Sequence, residues 1–172
     1  RDLELLAPLQ VDAVFHPTAA AFYPADHATA VEVSGLTAGL CGRSRPGHFR
    51  GVTTVVAKLF NVVQPDIAVF GQKDYQQLAG IRRMVRDLTM GTQVLSVPTV
   101  READGLAMSS RNTRLSADER QRAPAIYRLL RAAADSIAAG QQTQAGPVRQ
   151  AIAAGLAAQL SPDIDYVEVV DP

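Results

Sequence analysis

Apolar and polar positions follow one another along the middle of this chain in the rhythm of helix, strand, helix, strand. Val52, Val55, Val56, Leu59, Phe60 and Val63 recur at steps of three, one, three, one and three, which predicts a helix with one strongly apolar face. Pro65 stops it. Residues 66–70 continue as an apolar run of the kind expected in a strand buried on both faces of a parallel sheet. Leu78, Ile81, Val85 and Leu88 mark the inner side of the next helix. Asp74 is placed to cap that helix, and Gln77, three residues on, to complete a capping box. Gly91 ends it, and residues 93–97 make the next strand. Such an order belongs to the crossovers of an α/β sheet.

The flanks are less regular. Residues 11–15 read as a short strand ending at His16-Pro17. Residues 18–47 are rich in Gly, Ala and Pro, and predict long loops with an edge strand at 29–33. Residues 99–114 form a polar loop region. Ser116 and Glu119 have the spacing of a capping box opening a long helix through Ile126, Leu129, Leu130, Ala133 and Ile137, closed by Gly140 and kinked at Pro124. Residues 140–146 link it to a helix at about 147–160, and a strand is expected at 164–170. The change of character after Pro98 places a domain boundary near 98–100. Residues 1–98 then form a sheet-containing domain and residues 99–172 a smaller one.

Composition narrows the class. The chain has 172 residues, enough for one domain or one and a half, and is 47% hydrophobic and 20% charged, as in ordinary globular proteins. Seventeen basic residues balance seventeen acidic ones, so no global charge draws it to nucleic acid or membrane. Its apolar stretches are too short or too interrupted to span a bilayer, and no secretory leader opens the chain. A single cysteine, Cys41, cannot form an internal disulfide, and the simplest reading is a reducing cytoplasm. Three widely spaced histidines do not suggest a zinc cluster. The chain begins without methionine and stops at Pro172 directly after the last strand pattern. Both features suggest a piece of a longer protein.

Two segments carry candidate chemistry. Gly71 stands at the carboxyl end of a predicted parallel strand, where open α/β sheets bind their ligands. The helix that follows offers free N–H groups and a positive dipole end, and Lys73 adds a full charge suited to phosphate. Met108-Ser109-Ser110-Arg111-Asn112 brings two hydroxyls and an arginine, which can hold phosphate oxygens together with backbone N–H groups. Neither segment has the spacing of a Walker loop or a dinucleotide fingerprint. A tight turn with a solvated lysine, and a polar loop whose serines satisfy local backbone, are the plain structural alternatives. Residues 42–51 hold a basic cluster that either steers an anionic substrate or is a solvated loop; within it, His48 either polarises a carboxylate or makes a structural hydrogen bond. Gln76 and Gln77 can read a substrate hydroxyl, although the capping role competes for the Gln77 amide. Cys41 has no evident histidine partner and reads as an ordinary thiol.

Three stretches together resemble pantothenate synthetase, the pantoate–β-alanine ligase family. They are Arg45-Pro46-Gly47-His48-Phe49-Arg50-Gly51-Val52, Phe70-Gly71-Gln72-Lys73-Asp74-Tyr75-Gln76-Gln77-Leu78, and residues 101–112 with Met108-Ser109-Ser110-Arg111-Asn112 at their end. The likeness runs through nearly the whole chain. The resemblance implies a Rossmann-like nucleotidyltransferase domain followed by a smaller α+β domain. It implies a ligase that joins pantoate to β-alanine through a pantoyl-adenylate, splitting ATP to AMP and pyrophosphate with Mg²⁺, usually as a cytoplasmic homodimer. By matching motif, Gly71, Gln72, Lys73, Asp74, Val100, Met108, Ser109, Ser110 and Arg111 correspond to ATP-binding positions, Val100 through its backbone to adenine. Residues 108–111 match the family's form of the synthetase KMSKS loop, and Lys73, Ser109, Ser110 and Arg111 are the expected catalytic groups. Gln77 corresponds to a glutamine that binds the pantoate hydroxyl. Position 72 is glutamine where glutamate is expected in many relatives. The family's HxGH motif and its first pantoate-binding glutamine are absent from this sequence. The expectation is therefore an incomplete chain, weak or inactive by itself; the alternative is a nucleotide-binding or assembly module without catalysis.

Overall fold

The computed structural model describes residues 2–160 and 163–171. The chain divides into two compact units, residues 1–30 and residues 31–172.

In the first unit, helix α1 (Asp2–Leu6) runs into a 3-10 turn (Ala7–Leu9), and α2 (Ala19–Phe22) is capped by the Thr18 hydroxyl, which accepts from Ala21 N at 3.1 Å. Phe15, Phe22, Tyr23 and His27 make successive edge-to-face ring contacts. The strand expected at 11–15 does not form. A strand is defined by its ladder partner, and among the described residues none pairs with this segment.

The second unit holds the α/β architecture. After α3 (Cys41–Ser44) come α4 (His48–Val63), β1 (Ile67–Gly71), a 3-10 turn (Gln72–Asp74), α5 (Tyr75–Asp87) and β2 (Gln93–Val97). β1 and β2 pair in parallel with Ile67 opposite Gln93 and Gly71 opposite Val97. Parallel neighbours need a crossover, and α5 supplies it. α4 starts four residues before Val52, because Gly47 takes φ 78° and turns the chain into the helix. Phe60, Ile81 and Met84 form the buried centre, with Ala68, Phe70 and Val94 of the sheet packed against it. Phe60 and Phe70 meet edge to face at 6.5 Å.

Three expectations need correction here. β1 and β2 are covered on one face only: Ile67 and Val69 on the other face are 52% and 58% exposed, because among the described residues no helix packs there. The edge strand at 29–33 is absent; side chains of α4 replace a strand partner, with Val31 N donating to Thr54 Oγ1 at 2.9 Å and Thr53 Oγ1 to Val31 O at 2.6 Å. The Asp74–Gln77 capping box also fails. Asp74 occupies the cap position of α5, but the 3-10 turn before it sets φ −99° and ψ 59°, and its side chain caps nothing.

Beyond the sheet, residues 100–108 fold back on themselves through Met108 N to Val100 O (3.0 Å) and Glu102 N to Leu106 O (2.8 Å), turning at Gly105 with φ 92°. A 3-10 segment (Ser110–Arg114) leads to α6 (Ala117–Arg122), α7 (Ala125–Ala138) and α8 (Ala145–Gln159). The Ser116–Glu119 capping box is present in both directions. Pro124 does more than kink the helix: it separates α6 from α7 and stands at the N-cap position of the latter, with no side-chain capping bond. α7 and α8 pack closely at Gly155, where a Cβ would lie 2.6 Å from Leu129 Cδ2. Residues 164–170 are not a strand, since no ladder partner lies alongside them among the described residues. Arg149 instead anchors this segment, donating from Nε to Val167 O at 3.0 Å, while Glu168 pairs with Arg149 (3.0 Å) and Arg43 (3.4 Å).

Candidate functional site

The carboxyl end of β1 opens onto a cavity of about 560 Å³. Lys73, Asp74 and Gln77 line it from the 3-10 turn and first turn of α5, Arg45 from the end of α3 and His48 from the start of α4. Loop 35–41 closes one side, and Tyr166, Val170 and Asp171 from the last segment close another. The helix start adds backbone N–H groups and a positive dipole end, so Arg45, Lys73 and α5 offer groups that can hold an anion, in a lining that also carries the carboxylates Asp74 and Asp171. A cavity of about 540 Å³ lies at the other end of the strands, beside Asn61, Gln64 and Asp66, and has no basic side chain in its lining.

Gly71 has ordinary extended backbone (φ −77°, ψ 139°), and a Cβ placed there would meet nothing within 4 Å. Neither turn nor packing therefore requires glycine; the space beside it is open to an external group. Gln72 reaches across the sheet to Ser96 Oγ at 3.5 Å. Freed from capping, the half-buried Gln77 makes no hydrogen bond to protein among the described residues, and its amide is available to a ligand in the cavity.

Gln76 is spent otherwise. Its Nε2 donates to Leu36 O (2.9 Å) and Gly39 O (2.8 Å), and its Oε1 accepts from Cys41 N (3.1 Å). The adjacent glutamines thus divide, one tying down a loop and one facing the cavity. Pairing in sequence could not separate them; the partner loop lies thirty-five residues away.

His48 sits between Arg45 and Asp74. Burial, and then the Arg45 guanidinium, push its pKa below the ordinary imidazole value, against a smaller upward pull from Asp74. Arg45 NH1 lies 3.3 Å from His48 Nε2. A guanidinium only donates, so Nε2 accepts and the ring carries its proton on Nδ1. His48 in this state is a neutral donor, suited to a carboxylate or phosphate oxygen. Tyr166 has its phenol pushed upward in pKa, chiefly by burial, and stays neutral as a cavity wall. Nothing in the sequence pattern distinguished it.

Val100 and residues 108–111 do not line this cavity. Val100 and Met108 are exposed, at 65% and 51%. Ser109 caps the 3-10 segment by accepting from Arg111 N at 3.2 Å, so the local-backbone role foreseen for a serine is realised there. Ser110 and Arg111 turn exposed side chains to solvent. Asn112 secures the loop by donating to Ala107 O at 3.0 Å. Cys41 is a free, half-buried thiol whose N–H, not sulfur, is held by Gln76.

Among the described residues no three His, Cys, Asp or Glu side chains gather into a metal cage. Mg²⁺ is more often held by one or two carboxylates together with substrate phosphates, and Asp74 is a carboxylate of the cavity that fits that mode.

Fold and cavity define a partial Rossmann-like α/β protein with a polar cavity beyond the end of its parallel strands. The family model for pantoate-beta-alanine ligase matches residues 1–172, and the chain belongs to that family. It is 55% identical over 171 residues to the pantothenate synthetase of Moorella thermoacetica and 54% identical over 174 residues to that of Syntrophotalea carbinolica. In each case the match takes in 99% of this chain and 60% of the relative. The crystal structure of the Thermus thermophilus pantothenate synthetase superposes with a TM-score of 0.79 at 51% identity, over 91% of this chain and 56% of that one. The Francisella tularensis ligase, solved with β-γ ATP and β-alanine, superposes with a TM-score of 0.69 at 34% identity, over 90% of this chain and 57% of that one. The chain therefore spans well under two thirds of the length of these relatives.

Proposed function

We propose that this chain carries the phosphate-binding and pantoate-binding part of an ATP-dependent ligase that joins pantoate to β-alanine. The observation that carries the reading is the meeting of Arg45, His48, Lys73 and Gln77 in one cavity at the end of β1. Relatives that cover the chain are pantothenate synthetases, and one was solved with an ATP species and β-alanine.

In this reading a pantoate carboxylate oxygen attacks the α-phosphorus of ATP, pyrophosphate leaves, and the amine of β-alanine then displaces AMP from the pantoyl-adenylate. Negative charge grows on the phosphate oxygens in the first step. In this reading Lys73 and the α5 N-terminus stabilise it, and Gln77 orients the pantoate hydroxyl. Gly71 and Gln72 flank the phosphates, and Asp74 would hold Mg²⁺, which supplies charge neutralisation on the phosphates when bound. Ser109, Ser110 and Arg111 are assigned the opposite side of the triphosphate, with Val100 and Met108 near the base. This arrangement divides the molecule near 98–100 into a nucleotide half and a smaller lid half. A cytoplasmic homodimer is the assembly and location proposed with it.

Pyrophosphate exchange into ATP, dependent on pantoate, tests the reading. Exchange with pantoate and not with other hydroxy acids supports it. Nucleotide binding without any exchange contradicts it and favours a module that keeps the site's shape and performs no reaction.

A further inference from the structure

We infer that Gln76 is a positioning residue that holds Leu40 in an otherwise disfavoured backbone conformation and thereby fixes the wall of the Lys73–Gln77 cavity. The inference deepens the functional reading above and rests on it for the identity of the ligand.

Leu40 has φ 51° and ψ −127°, a combination that a branched side chain rarely adopts. Such a residue persists only where its surroundings over-determine it, and strain of this kind gathers at ligand clamps. The Gln76 amide brackets it, bonding the carbonyl of Gly39 on one side and the N–H of Cys41 on the other, with Leu36 O as a third point. Both donors and one acceptor position of the side chain are used, so the amide orientation follows from its partners. Loop 36–41 is tightened further at its start by the Thr37 hydroxyl, which donates to Val33 O. Gly42 permits the tight turn that follows, since a Cβ there would lie 1.7 Å from Thr37 O.

The consequence is functional because of where the loop lies. Leu36, Gly39, Leu40 and Cys41 line the cavity that also holds Gln77. Gln76 and Gln77 leave the same turn of α5, so the clamp and the ligand-facing amide share one rigid base. Loosening Gln76 lets Leu40 relax to negative φ and moves the wall against which a small hydroxy acid is held.

The test compares wild type, Gln76→Leu and the double variant Gln76→Leu/Leu40→Gly by amide hydrogen exchange of the ligand-free chain and by calorimetric titration with pantoate. Glycine takes positive φ without strain. The expected result is exchange at Cys41 faster by about tenfold or more in Gln76→Leu, as befits loss of a hydrogen bond and its neighbours, with a similar loss in pantoate affinity. The double variant regains part of the affinity. Gln76→Asn, one carbon shorter, is used in its place if the leucine variant does not fold. Unchanged exchange at Cys41 overturns the clamp, and accelerated exchange with unchanged affinity overturns its positioning role. A wild-type chain that binds no pantoate overturns the functional reading instead, and the clamp then stands or falls on the exchange data alone.

Discussion

The guanidinium of Arg101 lies 3.7 Å from the centre of the Tyr127 ring, stacked on its face. The same side chain donates to Gly105 O at 3.1 Å, and Asp104 beside it pairs with Arg120 at 2.5 Å. The 100–108 turn is thereby fastened to α6 and α7, and it delivers the Ser109–Arg111 stretch to its place. Arg101→Ala removes the cation–π contact and the hydrogen bond, and is expected to cost about 1–2 kcal/mol. Gly105→Ala is expected to cost about 1–3 kcal/mol, because its φ is 92° and its Cβ would lie 2.7 Å from Tyr127 Cδ1. Urea unfolding midpoints check both; a midpoint unchanged in either variant contradicts the fastening.

Ser116→Ala breaks the capping box of α6. Ser116 N donates to Glu119 Oε2 at 2.8 Å and Ser116 Oγ accepts from Glu119 N at 3.3 Å. A loss of about 1 kcal/mol is expected in the same measurement. The Ser116 backbone hydrogen bond, first among its causes, holds the Glu119 carboxyl below its ordinary pKa; the Arg120 hydrogen bond does the same for Asp104. With folded values depressed, the unfolded chain binds more protons in acid. The stability these groups contribute is present above the ordinary carboxylate range and lost as pH falls through their folded values. Asp104→Asn should flatten part of that acid limb.

His48 offers a direct reporter of charge in the cavity. Its pKa is lowered in the free protein, by burial first and Arg45 second. Its neutral form is therefore favoured, and the folded chain loses stability as pH falls below the ordinary imidazole value, where the unfolded chain protonates first. An anion bound beside it should move its titration upward, since a nearby negative charge favours imidazolium. Following the His48 ring proton by NMR, with and without pantoate, should show that rise; a downward or absent shift would place the anion elsewhere.

How much of this was legible beforehand depended on what each residue needed. The existence of α4, α5 and both strands was readable from periodicity, but the buried faces were only partly so. Val52, Val56, Phe60, Ile81 and Val85 pack in the core, whereas Leu59, Val63 and Leu88 of the expected stripes are exposed and Thr53, Ala57 and Met84 are buried in their stead. The segments at 11–15, 29–33 and 164–170 had strand-like patterns, but a pattern supplies no partner, and side chains such as Thr53, Thr54 and Arg149 hold two of them instead. The apolar run of β1 predicted burial on two faces, whereas Ile67 and Val69 are bare. Lys73 and Gln77 could be found because a strand-to-helix turn exposes them. The clamp by Gln76 could not, because its partners are backbone groups, which leave no trace in residue type. Residues 108–111 were singled out by motif resemblance alone, and their local hydrogen bonds account for the loop's own shape.

The central claim is that the cavity at the end of β1 receives the phosphates of ATP, with Lys73 as the charged group. Calorimetric titration of the chain with a non-hydrolysable ATP analogue and Mg²⁺, in wild type and Lys73→Ala, tests it most directly. Binding by the wild type and a loss of about 10- to 100-fold in the variant, the worth of one charge-assisted hydrogen bond, is the expected result. Equal affinity in the two proteins, or none in the wild type, would contradict it.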